Sequence, residues 1–151
     1  MRPGPFCERG ASLAIKAVFL DIDGTLVRFN ERRMNERTLA ALTAARERGV
    51  SLFIVTGRYK DGIGVDAMFP FDGYSTANGE YCYMADGELI HMSPMDPADV
   101  AAFSAACRRR GLSMTFTEPD DIYFCGSPEE LEKSVRYQSR RGGRDGRVRD
   151  W

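Results

Sequence analysis

Apolar and polar positions alternate in blocks along this chain, and the first block is short. Ala17-Val18-Phe19-Leu20 is an unbroken apolar run that leads straight into Asp21-Ile22-Asp23-Gly24-Thr25-Leu26. Four apolar residues are too few for a helix, and a run this rich in bulky side chains reads as a buried strand. Asn35 and Glu36 then open a stretch where Leu39, Leu42 and Ala45 recur at helical spacing. Arg46 and Arg48 fall in its last turn and Gly49 stops it. Val50 to Val55 is a second apolar strand, so strand, helix and strand form a right-handed crossover unit with the two strands parallel and adjacent. That topology delivers Thr56 beside Asp21 and Asp23. Val27 to Met34 is charged and reads as a loop or small flap, while Asp61 to Phe71 gives at best a short helix.

From Tyr74 the pattern changes to strands. Asn78-Gly79 and Asp86-Gly87 are hairpin turn signals around Tyr81, Tyr83, Leu89 and Ile90. Asp96-Pro97 with Asp99 opens a helix whose apolar face is Val100, Phe103 and Cys107, closed by Gly111. Strands over residues 112–117 and 122–125 follow. Ser127-Pro128-Glu129-Glu130 is a capping box heading a helix with Leu131 and Val135 inward.

The chemistry sits at the C-terminal end of the first strand, where ligands bind in open α/β sheets. Positions i and i+2 of an extended backbone project to one side, so Asp21 and Asp23 can converge on one small object. Paired carboxylates repel unless a cation lies between them or one is protonated. Mg2+ with oxygen ligands suits the pair and would bring a phosphate with it. Gly24 permits an immediate turn and would free its N–H to face that ligand. A strand ending in an ordinary Asp-Gly turn, with Asp23 capping the backbone, would use the same four residues.

Three motifs in order narrow the reading. Asp-Ile-Asp-Gly-Thr-Leu after an apolar strand resembles the first motif of the haloacid dehalogenase superfamily of phosphohydrolases. Thr56-Gly57-Arg58 after a hydrophobic strand resembles its second. Phe71-Asp72-Gly73-Tyr74 and Asn78-Gly79, with the hairpin after them, resemble the Cof-like branch, in which a cap domain is inserted after the second motif. The resemblance implies an α/β fold, a partial Rossmann-like core with a parallel sheet plus a partial α+β cap. It implies a Mg2+-dependent phosphatase acting on a small phosphorylated metabolite through an aspartyl-phosphate. Asp21 is then the nucleophile and Asp23 the acid and base, with both as metal ligands, Asp23 through its carbonyl. Gly24, Thr56 and Gly57 bind phosphate, and Arg58 and Asn78 face the substrate, although Asn-Gly is equally a tight-turn pair. A non-catalytic phosphate-binding or interaction module derived from the same fold is the alternative.

Length and composition agree with one globular unit: 151 residues, 43% of them hydrophobic. A net charge of -1 gives no case for nucleic acid or a membrane surface as partner. Cys7, Cys82, Cys107 and Cys125 form no C-x-x-C pair and read as reduced thiols in a cytoplasmic protein. The single histidine, His91, gives no basis for a zinc cluster. No apolar run approaches the roughly 18 residues of a membrane span.

The expected organisation is a flexible extension over 1–14, a partial core over 15–80, a partial cap over 81–137 and a basic disordered tail over 138–151. Residues 136–151 hold six arginines against two aspartates, +4, which leaves -5 for the rest of the chain. That abrupt change, with no lysine or late acidic motif of the family pattern, is what a truncated or frameshifted reading frame would produce, and implies weak or absent activity. The first strand is then an apolar edge open to self-association.

Overall fold

The computed structural model describes residues 15–29, 31, 33–119, 121–127, 129, 130, 132, 133, 136, 147 and 148. Strand β1 (Ala17–Leu20) pairs in parallel with β2 (Ser51–Val55), Leu20 opposite Ile54, and helix α1 (Glu36–Glu47) connects them. Asn35 caps the helix by accepting the Thr38 N–H at 2.9 Å, an interaction worth about 1 kcal/mol. Strand β3 (Gly73–Thr76) adds in parallel to β2. The chain then reverses twice, so that β4 (Tyr81–Met84) and β5 (Leu89–Met92) extend the sheet antiparallel in the order β1-β2-β3-β4-β5.

The expected boundary between core and cap at residue 80 therefore falls inside one continuous sheet. Thr76 pairs with Tyr81 across the Ala77–Gly79 turn, which carries the hydrogen-bond ladder straight on into β4. Helix α2 (Pro97–Arg110) follows β5.

Leu39, Leu42 and Ala45 of α1 pack on Val18, Leu20, Leu52 and Ile54, and Ile22 and Ile54 are fully buried. Burial of β1 on both faces, as expected from its composition, holds on one face only. Phe19 is 66% exposed and stacks on Phe53 with ring centroids 5.0 Å apart, because α1 covers the opposite face. β1 stands at the sheet edge with β2 as its one partner among the described residues. The 60–71 stretch contains only a 3-10 turn over Lys60–Gly62, yet Ile63, Val65, Phe69 and Phe71 are all buried in the main core. Leu26, Val27 and Met34, at the two ends of the expected flap, are buried with them.

Asp96 caps α2 by accepting the Ala98 N–H at 2.7 Å, and Gly111 takes the left-handed conformation (φ 64°) that ends it. Cys107 is buried and Val100 half-buried, but Phe103, expected on the same apolar face, is 52% exposed. Strands β6 (Met114–Thr117) and β7 (Ile122–Cys125) pair antiparallel, and β8 (Arg147–Val148) pairs parallel to β7. Residues 147 and 148 thus depart from the expected disordered tail. The free edge of β7 offers backbone donors and acceptors that any sequence can meet. Ser127 Oγ accepts the Glu130 N–H at 3.4 Å, as the capping box predicts. Leu131 and Val135, residues 1–14 and most of the tail lie outside the described residues.

Candidate active site

Three loops leave the large sheet at one edge, because β1, β2 and β3 run parallel. They hold Asp21 to Gly24, Thr56 to Arg58 and Ala77 to Gly79, so the site residues expected from sequence arrive at the same edge of the sheet. Ile22 points into the core between the two aspartates. Asp21 is exposed, and its carbonyl accepts the Leu26 N–H at 3.3 Å.

Gly24 differs from expectation. Its N–H donates to the Val27 carbonyl at 2.8 Å instead of facing a ligand, because the chain closes a tight turn over residues 22–27. Glycine is still required there: φ is 88°, and a Cβ would lie 2.8 Å from the Phe29 ring.

Thr56 is buried, donates its N–H to the Ser75 carbonyl at 2.9 Å and accepts the Arg58 N–H on Oγ1 at 3.1 Å. A hydroxyl used as an acceptor keeps its proton for donation. Gly57 is exposed, and a Cβ on it would lie 2.8 Å from Asn78 Oδ1. Asn78 is therefore both a turn residue, with φ 58°, and a neighbour of the second motif. Ala77 also has positive φ (49°), a conformation that costs a non-glycine residue about 1–2 kcal/mol. Hydrogen bonds from the Ala77 N–H to the Arg58 carbonyl (2.8 Å) and from the Asn78 N–H to the Thr56 carbonyl (3.2 Å) hold it there.

Arg58 does something its sequence position did not reveal. Its Nη2 donates to Asp23 Oδ1 at 2.6 Å and its Nε to Asp23 Oδ2 at 2.9 Å, a two-pronged ion pair. Its Nη1 donates to the carbonyls of Gly62 (2.9 Å) and Ile63 (3.1 Å). A planar fork with three nitrogens engaged by protein oxygens is a clamp on Asp23. The one sequence signal for it was the parallel adjacency of the two strands that carry the two motifs.

Asp23 can serve a metal through its carbonyl, since both its carboxylate oxygens face Arg58. Among the described residues no group of three or more His, Cys, Asp or Glu side chains is placed to hold a metal ion. An exposed carboxylate on Asp21 beside a backbone carbonyl still fits Mg2+, which binds through one or two carboxylates and keeps several waters.

Gly57, Asn78 and Tyr59 also border an open cleft of about 720 Å3 whose other wall is Phe116, Tyr123 and their neighbours on β6 and β7. Tyr59 packs on the buried pair Ile122 and Phe124 and so joins the second motif loop to the second sheet.

The family model of the haloacid dehalogenase-like hydrolases matches residues 18–145. The HMP-PP phosphatase of Shigella flexneri serotype 5b (strain 8401) is 35% identical over 131 residues, 82% of this chain and 47% of that protein. Its counterpart in Escherichia coli O81 (strain ED1a) is 36% identical over 126 residues, 78% of this chain and 46% of that protein. Among solved structures, a HAD subclass IIB sugar phosphatase superposes with a TM-score of 0.76 at 34% identity, covering 89% of this chain and 52% of that one. The chain spans about half the length of the relatives it matches. The strand-tip loops thus sit in a fold and a sequence shared with known phosphatases across most of the chain, and the chain belongs to the haloacid dehalogenase-like hydrolases, in their Cof-like branch.

Proposed function

We propose that these residues form the nucleophile half of a Mg2+-dependent phosphatase site that acts on a small phosphorylated metabolite through an aspartyl-phosphate on Asp21. The observation that carries the reading is the unequal treatment of the two carboxylates. Arg58 holds Asp23 by both oxygens, while Asp21 stands exposed two residues earlier on the same strand tip. One acid is positioned and the other is available, which is the division of labour that covalent phosphoryl transfer needs.

Asp21 Oδ attacks phosphorus and the bond to the leaving oxygen breaks, giving the acyl phosphate. Water then attacks phosphorus, Asp23 takes its proton, and Asp21 is released. The guanidinium favours the ionised form of Asp23, so base chemistry suits the paired state. Protonation of a leaving alkoxide by Asp23 requires the fork to open. The Thr56 hydroxyl and the Gly57 N–H would donate to phosphate oxygens. Held by the Asp21 carboxylate and the Asp23 carbonyl, Mg2+ would supply positive charge against the phosphate.

Lys60 sits over the Tyr83 ring at 5.7 Å, and Lys133 pairs with Glu129 and Glu130. A phosphate held mainly by the neutral donors of Thr56 and Gly57 predicts slow turnover, since one charged stabiliser typically contributes about 10²–10³ in rate. The test is phosphate release from an aryl phosphate with Mg2+, compared with Asp21→Asn. A slow Mg2+-dependent rate that disappears in a folded Asp21→Asn variant is expected. A rate unchanged by Asp21→Asn would overturn the assignment.

A further inference from the structure

The large sheet ends in two edge strands, and they differ in regularity. At β5 the register against β4 shifts between Cys82 and Tyr83, which leaves Ile90 without a counterpart. A bulge of this kind twists an edge away from further pairing. β1 has no such irregularity: Ala17, Val18, Phe19 and Leu20 match β2 in unbroken register from Ser51 to Ile54. The Lys16 carbonyl accepts the Ser51 N–H at 2.8 Å. Alternate residues of a parallel ladder face the partner strand, so Lys16, Val18 and Leu20 turn their backbone groups to β2. Ala17 and Phe19 turn theirs to the open side, where the described residues supply no strand. The exposed Phe19 ring stands at the same edge, stacked on Phe53.

A strand that fits this edge must be short, apolar and free of charge along its length, and β1 itself meets those conditions. We infer that β1 pairs antiparallel with β1 of a second copy of this chain about a two-fold axis, joining the two large sheets into one. With the axis at Val18, Ala17 of each copy lies opposite Phe19 of the other, and the two exchange N–H and C=O bonds. The small side chain leaves room for the large one, so both Phe19 rings pack over the seam. Lys16 of each copy comes to the end of the strand that carries Asp21 of the other, whereas parallel pairing would set like charges together. Closure about a two-fold axis uses both β1 edges and stops the assembly at a dimer. The inference is independent of the phosphatase reading.

Sedimentation equilibrium and hydrogen exchange on the full chain test it. A seam this short lies at the low end of specific interfaces, so monomer should give way to dimer between about 1 and 500 µM. Amides of Val18 and Leu20, bonded to β2, should be protected at every concentration, while those of Ala17 and Phe19 gain protection only as the dimer forms. Phe19→Lys should weaken dimerisation at least about tenfold, since burial of the ring is lost. Ala17→Glu, which keeps the stack of Phe19 on Phe53, should weaken it as well, and Ile90→Lys on β5 should leave it unchanged. Retained protection of Val18 and Leu20 shows that a variant is folded. A monomer throughout, growth past the dimer, association lost with Ile90→Lys, or a dimer indifferent to both β1 changes would overturn the inference. So would Ala17 and Phe19 amides already protected in the monomer, because another stretch of the chain would then hold the edge.

Discussion

The two sheets of this protein are held together very differently. Around the large sheet, eleven buried apolar residues from α1, β2 and the loops after β1 and β2 close on one another, whereas the smaller sheet closes on Ile122 and Phe124 with Tyr59 against them. The charge pair and the crossed hydrogen bonds of the three loops stand on the first core. The cleft wall formed by β6 and β7 stands on the second. On the proposed reading, phosphoryl transfer, which tolerates little misplacement of its groups, falls to the larger core, and the smaller core is expected to open at lower free energy.

The largest expected effects test that contrast directly. Ile54→Ala should lower global stability by about 2–5 kcal/mol, because a fully buried β2 side chain is lost from the main core. Phe124→Ala, equally buried, should instead release β6 and β7 alone. Hydrogen exchange there would accelerate while amides of β1 to β3 keep their protection. Simultaneous loss of protection in both sheets on Phe124→Ala would show that the two cores form one cooperative unit.

Next in size is the clamp. Arg58 and Asp23 are 16% and 33% exposed in their side chains, so breaking the pair should cost about 1–3 kcal/mol, less than for a fully buried one. Arg58→Lys should recover little of the loss, since an ammonium cannot grip both oxygens and two carbonyls with the same fork. Full recovery by lysine would mean that charge alone holds Asp23.

Smaller again is the coupling between the second and third loops. Gly57→Ala should destabilise because its Cβ meets Asn78 Oδ1. Asn78→Ala should remove most of that penalty, giving a coupling of about 1 kcal/mol in a double-mutant cycle. Additive effects would show that the two loops do not bear on each other.

Much of this was legible in the sequence, and the parts that were not share a physical cause. The helix α1 announced itself through Asn35, its periodic leucines and Gly49, all local signals, and both hairpin turns did so through Asn78-Gly79 and Asp86-Gly87. Residues 60–71 stayed opaque because Ile63, Val65, Phe69 and Phe71 are buried from turns, which have no period. The continuation of the sheet into β4, the pairing of residues 147 and 148 with β7, and the exposed face of Phe19 depend on which backbone or helix lies alongside. The motif residues themselves were readable, but the grip of Arg58 on Asp23 joins positions 35 apart in sequence and exists only once β1 and β2 lie side by side.

The smallest effect concerns pH. Burial, helped by the neighbouring Tyr74 and Asp66, pushes the Tyr83 hydroxyl well above the ordinary tyrosine value. The folded state therefore keeps a proton that the unfolded state loses above about pH 10. Stability contributed by this group should be constant below that pH and fall as pH rises beyond it, and Tyr83→Phe should flatten the alkaline slope. An unchanged slope would assign it to other groups.

The central claim is that Asp21, and not Asp23, bonds to phosphorus. Turnover of a phosphoryl donor with Mg2+, quenched with borohydride, converts an aspartyl-phosphate to homoserine, which peptide mass spectrometry can place. Homoserine at position 21, absent without the phosphoryl donor and absent in Asp21→Asn, is the predicted result. Homoserine at position 23 would contradict the account, and so would turnover that leaves position 21 unmodified.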